Sequence, residues 1–153
     1  MEPPRVPPSD QIRFRARLWT RWSDEDNQGV LNNAVYLSLL EEARYRYFDG
    51  LGLIESCNAF SFLLGQTDLR FLAPGRGPAE VEVELVTTRI GRKSFGQAYR
   101  IRPADGGPPW VEAEAAMVMW DGAAQETIPI PPAFRAAVAD FEGLAADDPV
   151  AGS

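Results

Sequence analysis

The sequence predicts an α+β domain in which an antiparallel sheet packs against one long helix. Three observations carry this reading. Apolar residues recur at helical spacing from Tyr36 to Leu51, in a segment of about eighteen residues or five turns. Four segments between Ala59 and Asp121 show strand-like patterning and are joined by short turns, as antiparallel pairing allows. A last apolar-periodic segment follows a Pro-rich stretch at 129–132 and predicts a short C-terminal helix.

In order, residues 1–10 are Pro-rich and are expected to form a disordered tail. From Gln11 the chain alternates, with Ile12, Phe14, Ala16 and Leu18 on one side and Arg13, Arg15 and Arg17 on the other. That is a strand with one buried and one wet face. An acidic stretch, 23–28, leads to Gly29. Asn32 and Asn33 are both N-cap candidates for the long helix. Its apolar stripe is Tyr36, Leu37, Leu40, Ala43, Tyr47, Phe48 and Leu51, and Gly50 and Gly52 supply the stop.

The segment "FSFLLGQTDLRFL" reads as one strand with a kink at Gly65, ending before Pro74 and Gly75. "AEVEVELVTTRI", "SFGQAYRIR" and "WVEAEAAMVMW" follow as three more. A helix is expected over 133–144, with Phe134, Val138 and Phe141 on one face. The predicted domain is therefore single, spanning 11–144, with a frayed tail over 145–153. The arginines of the first strand and the glutamates of the later ones are expected as facing rows on the wet side. Such cross-strand pairs contribute only about 0.2–1 kcal/mol each.

Composition excludes more than it proves. The chain has 153 residues, enough for one domain with a proper core. Its net charge of −7 argues against a sequence-independent grip on nucleic acid. No stretch is apolar and long enough to span a bilayer, and the N-terminus lacks the apolar core of a signal peptide. One cysteine, Cys57, permits no intrachain disulfide and reads as an inert thiol. A cytoplasmic location is expected, with neither nucleic acid nor membrane as partner. Histidine is absent, which removes Ser–His–Asp hydrolases, His-ligated metal enzymes and hydratases that use a His base. Acid–base work falls to carboxylates, Lys or Tyr.

Asp24, Glu25 and Asp26 crowd in front of Gly29, just where the long helix begins. A cluster of this kind suits a solvated cap, a metal site or a reactive base. Hard-metal loops supply more oxygen ligands than this one shows.

The stretch "WSDEDNQGVLNNAVYLSLLEEAR" resembles the signature of hotdog-fold acyl-CoA thioesterases of the 4-hydroxybenzoyl-CoA type. That signature is Asp-x-Asp-x-x-Gly, a short linker, then a helix with Tyr-Leu and Glu-x-Ala-Arg. Here it falls on Asp24, Asp26, Gly29, Tyr36, Leu37, Glu41, Ala43 and Arg44. "LRFLAPGR", "RIGRKSF", "VMWD" and "PIPPAFRAAVADFE" agree in order and spacing, so the similarity runs from about residue 11 to 143. The resemblance implies the hotdog fold, a sheet wrapped around the central helix. It implies hydrolysis of an acyl-CoA to free acid and CoA without a cofactor or metal. It also implies a homodimer or homotetramer with the active site between subunits.

The resemblance further implies that Asp26, by position, is the catalytic carboxylate and that the N–H of Asn33 at the helix start polarises the thioester carbonyl. On the substrate side the resemblance places Gly29 and Tyr36, with Arg92, Lys93 and Ser94 at a hairpin turn within reach of coenzyme A. Those three also suit an ordinary charged turn, and Arg76 is a weaker candidate of the same kind. Asp24 is expected to bond loop backbone, and Glu25 to point to solvent. Glu41 and Glu42 offer a second carboxylate choice, with Glu41 paired to Arg44 or Tyr45 as the plainer reading. Tyr36, Tyr45, Tyr47, Phe60 and Phe62 suit an acyl pocket or the core. Two departures stand out: Val30 replaces a histidine common in relatives, and Gly77-Pro78 replaces a frequent Gly-Asp. The rival reading is a hotdog protein that binds acyl-CoA without turning it over.

Overall fold

The computed structural model describes residue 2, residues 5–54 and residues 62–145. The strands are β1 (Phe14–Thr20), β2 (Phe62–Phe71), β3 (Ala79–Ile90), β4 (Ser94–Pro103), β5 (Val111–Asp121) and the two-residue β6 (Glu126–Thr127). The long helix α1 (Asn33–Gly50) lies between β1 and β2, and α2 (Pro132–Glu142) closes the fold. The sheet order is β1-β3-β4-β5-β2, antiparallel throughout, with β6 paired to β5. This is the hotdog fold: a curled antiparallel sheet around one long helix.

Period-two patterning sets which face each residue takes. In the β1–β3 register Ala16 meets Val83 and Leu18 meets Val81, and all four are buried. From the helix, Tyr36, Leu40, Ala43, Tyr47 and Phe48 fill the space above them. Phe48 is the hub of an aromatic group, with ring centroids 5.4 Å from Phe62, 5.7 Å from Phe95 and 5.2 Å from Phe134. Such pairs add about 0.5–1.5 kcal/mol each beyond burial. They tie β2, β4 and α2 to the end of α1. No described helix is long and apolar enough to cross a membrane.

The wet face carries the expected rows. Arg17 pairs with Glu80 at 2.7 Å and Arg15 with Glu82 at 3.2 Å. Glu84 departs from a simple surface pair, because it is wholly buried. The segment expected as a disordered tail covers it: residues 5–12 lie across this face. Ser9 Oγ donates to Glu84 at 2.9 Å, and Arg100 Nη1 donates to Glu84 at 3.1 Å. Arg100 also donates to the Pro7 carbonyl at 3.0 Å, and the Arg5 N–H donates to Glu114 at 2.9 Å. Prolines leave carbonyls free to accept, and Arg100 takes one. Cys57 and Phe60 lie outside the described residues.

Candidate active site

The stretch from Asp24 to Asn32 folds back on itself as a tight loop. The Asn32 N–H donates to the Asp24 carbonyl at 2.9 Å, Glu25 bridges Leu31, and the Asp26 N–H donates to the Val30 carbonyl at 2.8 Å. Gly29 closes the loop at φ 76°, a backbone conformation that suits glycine. Each carboxylate of the cluster has a different environment. Asp24 is buried and accepts the Arg21 N–H at 2.8 Å and the Arg21 guanidinium at 3.0 Å. Burial pushes its pKa up, but these two donors outweigh burial and hold the carboxyl below its ordinary value. It is a structural residue, as expected.

Glu25 corrects its expectation. Its carboxylate turns inward and accepts the Gly77 N–H at 2.9 Å. Asp26 alone of the three is exposed, and its only side-chain hydrogen bond among the described residues is from the Gln28 N–H to one oxygen, at 2.7 Å.

The helix start follows directly. Asn32 is the N-cap, its side chain accepting the Ala34 N–H at 2.9 Å. Asn33 is the first helical residue, so its N–H has no i−4 carbonyl inside the helix and stands at the positive end of the dipole. The same folded-back loop carries the exposed Asp26 and leads into that helix start.

The β2–β3 loop braces this arrangement. The Leu31 N–H donates to the Gly75 carbonyl at 3.0 Å, and the Gly75 N–H donates to Tyr36 Oη at 3.0 Å. Arg76 Nη1 donates to the Gly29 carbonyl at 3.3 Å. Gly75 and Gly77 are needed for this approach. A Cβ at Gly77 would lie 2.1 Å from the Arg21 carbonyl, and one at Gly75 would lie 2.7 Å from Tyr36 Oη. Tyr36 is thus a buried brace of the loop, its ring 5.4 Å from that of Phe71. Beside the brace opens a cleft of about 770 Å³ lined by Arg17, Arg76, Pro78, Glu80, Asp105 and Trp110.

Arg92, Lys93 and Ser94 lie elsewhere. They form the β3–β4 turn, at the far end of β3 from the Asp26 loop. Twelve residues of strand separate the two ends, roughly 36 Å of rise. The turn is fixed by the Gly91 N–H on the Ser94 carbonyl at 2.7 Å and the Met119 N–H on the Lys93 carbonyl at 2.8 Å. One chain does not bring these residues to Asp26.

Two further findings were not anticipated. Glu41 does not pair with Arg44. Glu42 instead pairs with Arg46 at 3.1 Å, and Arg44 turns inward to donate to Tyr99 Oη at 2.9 Å. Behind Tyr99 runs a buried polar chain through Gln97, Thr87 and Tyr47 to Glu142 on α2. Gln97 was the available signal. The alternation of β4 puts it in the apolar row of Phe95, Tyr99 and Ile101. Tyr45 faces solvent, while Tyr47 and Phe62 belong to the core or pack against it.

Comparison with known proteins finds the same fold. The PA2801 protein of Pseudomonas aeruginosa is 32% identical over 81% of this chain and 96% of its own, with a TM-score of 0.73. A thioesterase from Thermus thermophilus, solved with coenzyme A and zinc, is 30% identical over 86% of this chain and 95% of its own, with a TM-score of 0.72. The 1,4-dihydroxy-2-naphthoyl-CoA thioesterase Slr0204 of Synechocystis shares the fold at 21% identity, over 83% and 96%, with a TM-score of 0.74. The family model described as "Thioesterase-like superfamily" matches residues 20–138. That span runs from the end of β1 into α2 and holds the whole Asp26 loop and helix start, so the chain belongs to the thioesterase-like superfamily.

Proposed function

We propose that this protein is a cytoplasmic acyl-CoA thioesterase whose reacting carboxylate is Asp26. The observation that carries this reading is an exposed, sparsely bonded carboxylate on the loop that leads directly into the start of a long helix. Thioester hydrolysis needs both parts. A donor aimed at the carbonyl oxygen stabilises the charge that builds there, and losing one such donor typically costs about 100- to 1000-fold. A carboxylate on the other side acts as general base, worth about 100- to 10,000-fold, or attacks directly.

As base, Asp26 takes a proton from water while the water oxygen bonds to the thioester carbon. The oxyanion accepts the Asn33 N–H. Its collapse breaks the C–S bond, and the departing thiolate takes up the proton. Thiolate leaves well, so histidine is not required. As nucleophile, Asp26 would instead form a mixed anhydride that water then cleaves, returning the carboxylate. Gly29 shapes the loop, Tyr36 braces it, and Arg76, bonded to the loop, offers a cation for a phosphate of coenzyme A.

Arg92, Lys93 and Ser94 enter this reading through a second copy of the chain. β2 is a ten-residue edge strand with exposed Leu63, Leu64 and Phe71, and unpaired apolar edges favour pairing with another chain. A homodimer or homotetramer joined there places the active site between subunits.

The test is thiol release from a panel of aliphatic and aromatic acyl-CoAs, with the background from Cys57 subtracted. Turnover of any class supports the reading. Saturable binding with no turnover across the panel would favour a non-catalytic acyl-CoA-binding protein.

A further inference from the structure

Glu25 stands beside Asp26, and its side chain takes the opposite course. It is extended, at φ −79° and ψ 145°, and successive side chains of an extended chain leave on opposite sides. Glu25, half-buried, turns inward, and Asp26 turns out to solvent. Inside, the Glu25 carboxylate accepts the Gly77 N–H at 2.9 Å. Among the described residues it is the one side chain of 24–32 that hydrogen-bonds across to the β2–β3 loop.

The donor that Glu25 grips is itself fixed to the sheet. Thr20, 2% exposed at the end of β1, donates through Oγ1 to the Arg76 carbonyl at 2.6 Å and accepts the Ala79 N–H at 3.0 Å. Gly77 lies between these two anchors, pressed against the Arg21 carbonyl where a Cβ would clash. Pro78 has no N–H, which leaves that of Gly77 as the donor turned to Glu25. A continuous path therefore runs from β1 through Thr20 and the segment 76–79 to Glu25, and so to the backbone of Asp26. The Asp26 side chain has its one hydrogen bond inside its own turn, from the Gln28 N–H, which gives it no hold on the sheet. Both ends of the clasp lie outside the signature. Glu25 fills an unspecified position of Asp-x-Asp-x-x-Gly, and Gly77 precedes the Pro78 that departs from it.

We propose that Glu25 is a positioning residue for the reaction. It clasps the Asp26 turn to the β2–β3 loop and so sets where the Asp26 carboxylate stands relative to the helix start. The inference rests on the thioesterase reading and adds a residue to it. Reacting groups work within narrow limits, and a displacement of about 1 Å costs roughly 100-fold in rate. Without the clasp the turn keeps its backbone bonds, from the Asp26 N–H to Val30 and from the Leu31 N–H to Gly75, so the fold persists while the carboxylate loses its place.

The test is thiol release by wild type, Glu25→Ala and Glu25→Gln, with amide hydrogen exchange followed over residues 24–32. Glu25→Ala should lower kcat about 30- to 100-fold and move KM less than about threefold. Exchange across the turn should quicken. Glu25→Gln keeps an acceptor for the Gly77 N–H and should recover most of the rate. Glu25→Asp, one methylene short of Gly77, gives a milder form of the alanine loss if that variant fails to fold. In an Asp26→Asn background, Glu25→Ala should cost less than about threefold further, because the group it positions is gone. An equal loss in the alanine and glutamine variants, a change in KM alone, or an undiminished further loss in the Asp26→Asn background would overturn the inference. Wild type that hydrolyses no acyl-CoA would sink the thioesterase reading instead. Faster exchange in Glu25→Ala would then uphold the clasp, and unchanged exchange would overturn it.

Discussion

Glu84 stands on the wet face of β3 with its carboxylate closed in by Arg15, Arg100 and Ser9, whereas Asp26 stands in solvent with one backbone N–H on one oxygen. Both belong to acidic runs that look alike in the sequence. The difference is in their lone pairs. Those of Glu84 are occupied by a guanidinium row and a strap of chain, so it fixes structure. Those of Asp26 remain available beside a helix start, so it can meet a reacting atom. On the proposed reading, what Asp26 leaves unbonded is what marks it as the reacting carboxylate.

The comparison can be broken first at Glu84. Glu84→Gln leaves Arg15, Arg100 and Arg102 around a neutral group and should cost about 3 kcal/mol of stability. Denaturant unfolding measures this, and a loss below about 1 kcal/mol would make the network dispensable. Removing residues 1–12 takes away the strap and opens Glu84 to water. The expected loss is about 2 kcal/mol, from hydrogen bonds to charged groups. Asn32→Ala acts on the Asp26 side by removing the helix cap, and should cost about 1 kcal/mol. It should also slow turnover, since the Asn33 N–H follows the cap.

The smallest effects are in pH dependence, where the buried Glu84 and the half-buried Glu142 give opposite signs. Burial pushes Glu84 up, but Arg100, Ser9 and Arg15 outweigh it and hold the carboxyl below its ordinary value. Its stabilisation is present above the unfolded pKa of about 4.3 and is lost as pH falls through the lower folded value. Glu142 is raised, chiefly by burial, against the pull of its Thr87 and Tyr47 hydrogen bonds. Its contribution is present below about 4.3 and lost as pH rises through the folded value. Stability curves should therefore show Glu142→Gln gaining on wild type as pH rises through that range. Glu84→Gln should lose its deficit as pH falls.

Most of the frame was legible because it rests on period. The α1 stripe, the alternation of β1 and β3, and the Arg–Glu rows follow from which face each residue takes. The loop and the helix start were legible through local chemistry: Gly29 for the tight loop, Asn32 for the cap. What escaped depends on partners distant in sequence. Glu25 bonds Gly77 and Arg100 bonds the Pro7 carbonyl, across 52 and 93 positions. Arg44 faces Tyr99, 55 positions away, where spacing on the helix offered Glu41. Local rules pair neighbours, and a curled sheet overrides them.

The most direct measurement compares Asp26→Asn with wild type for thiol release and for stability under identical conditions. The account predicts turnover reduced about 100- to 10,000-fold. Stability should stay within about 0.5 kcal/mol, since asparagine keeps the acceptor for Gln28 on an exposed loop. Equal turnover by the two proteins would contradict it and move the reacting carboxylate to Glu41 or Glu42.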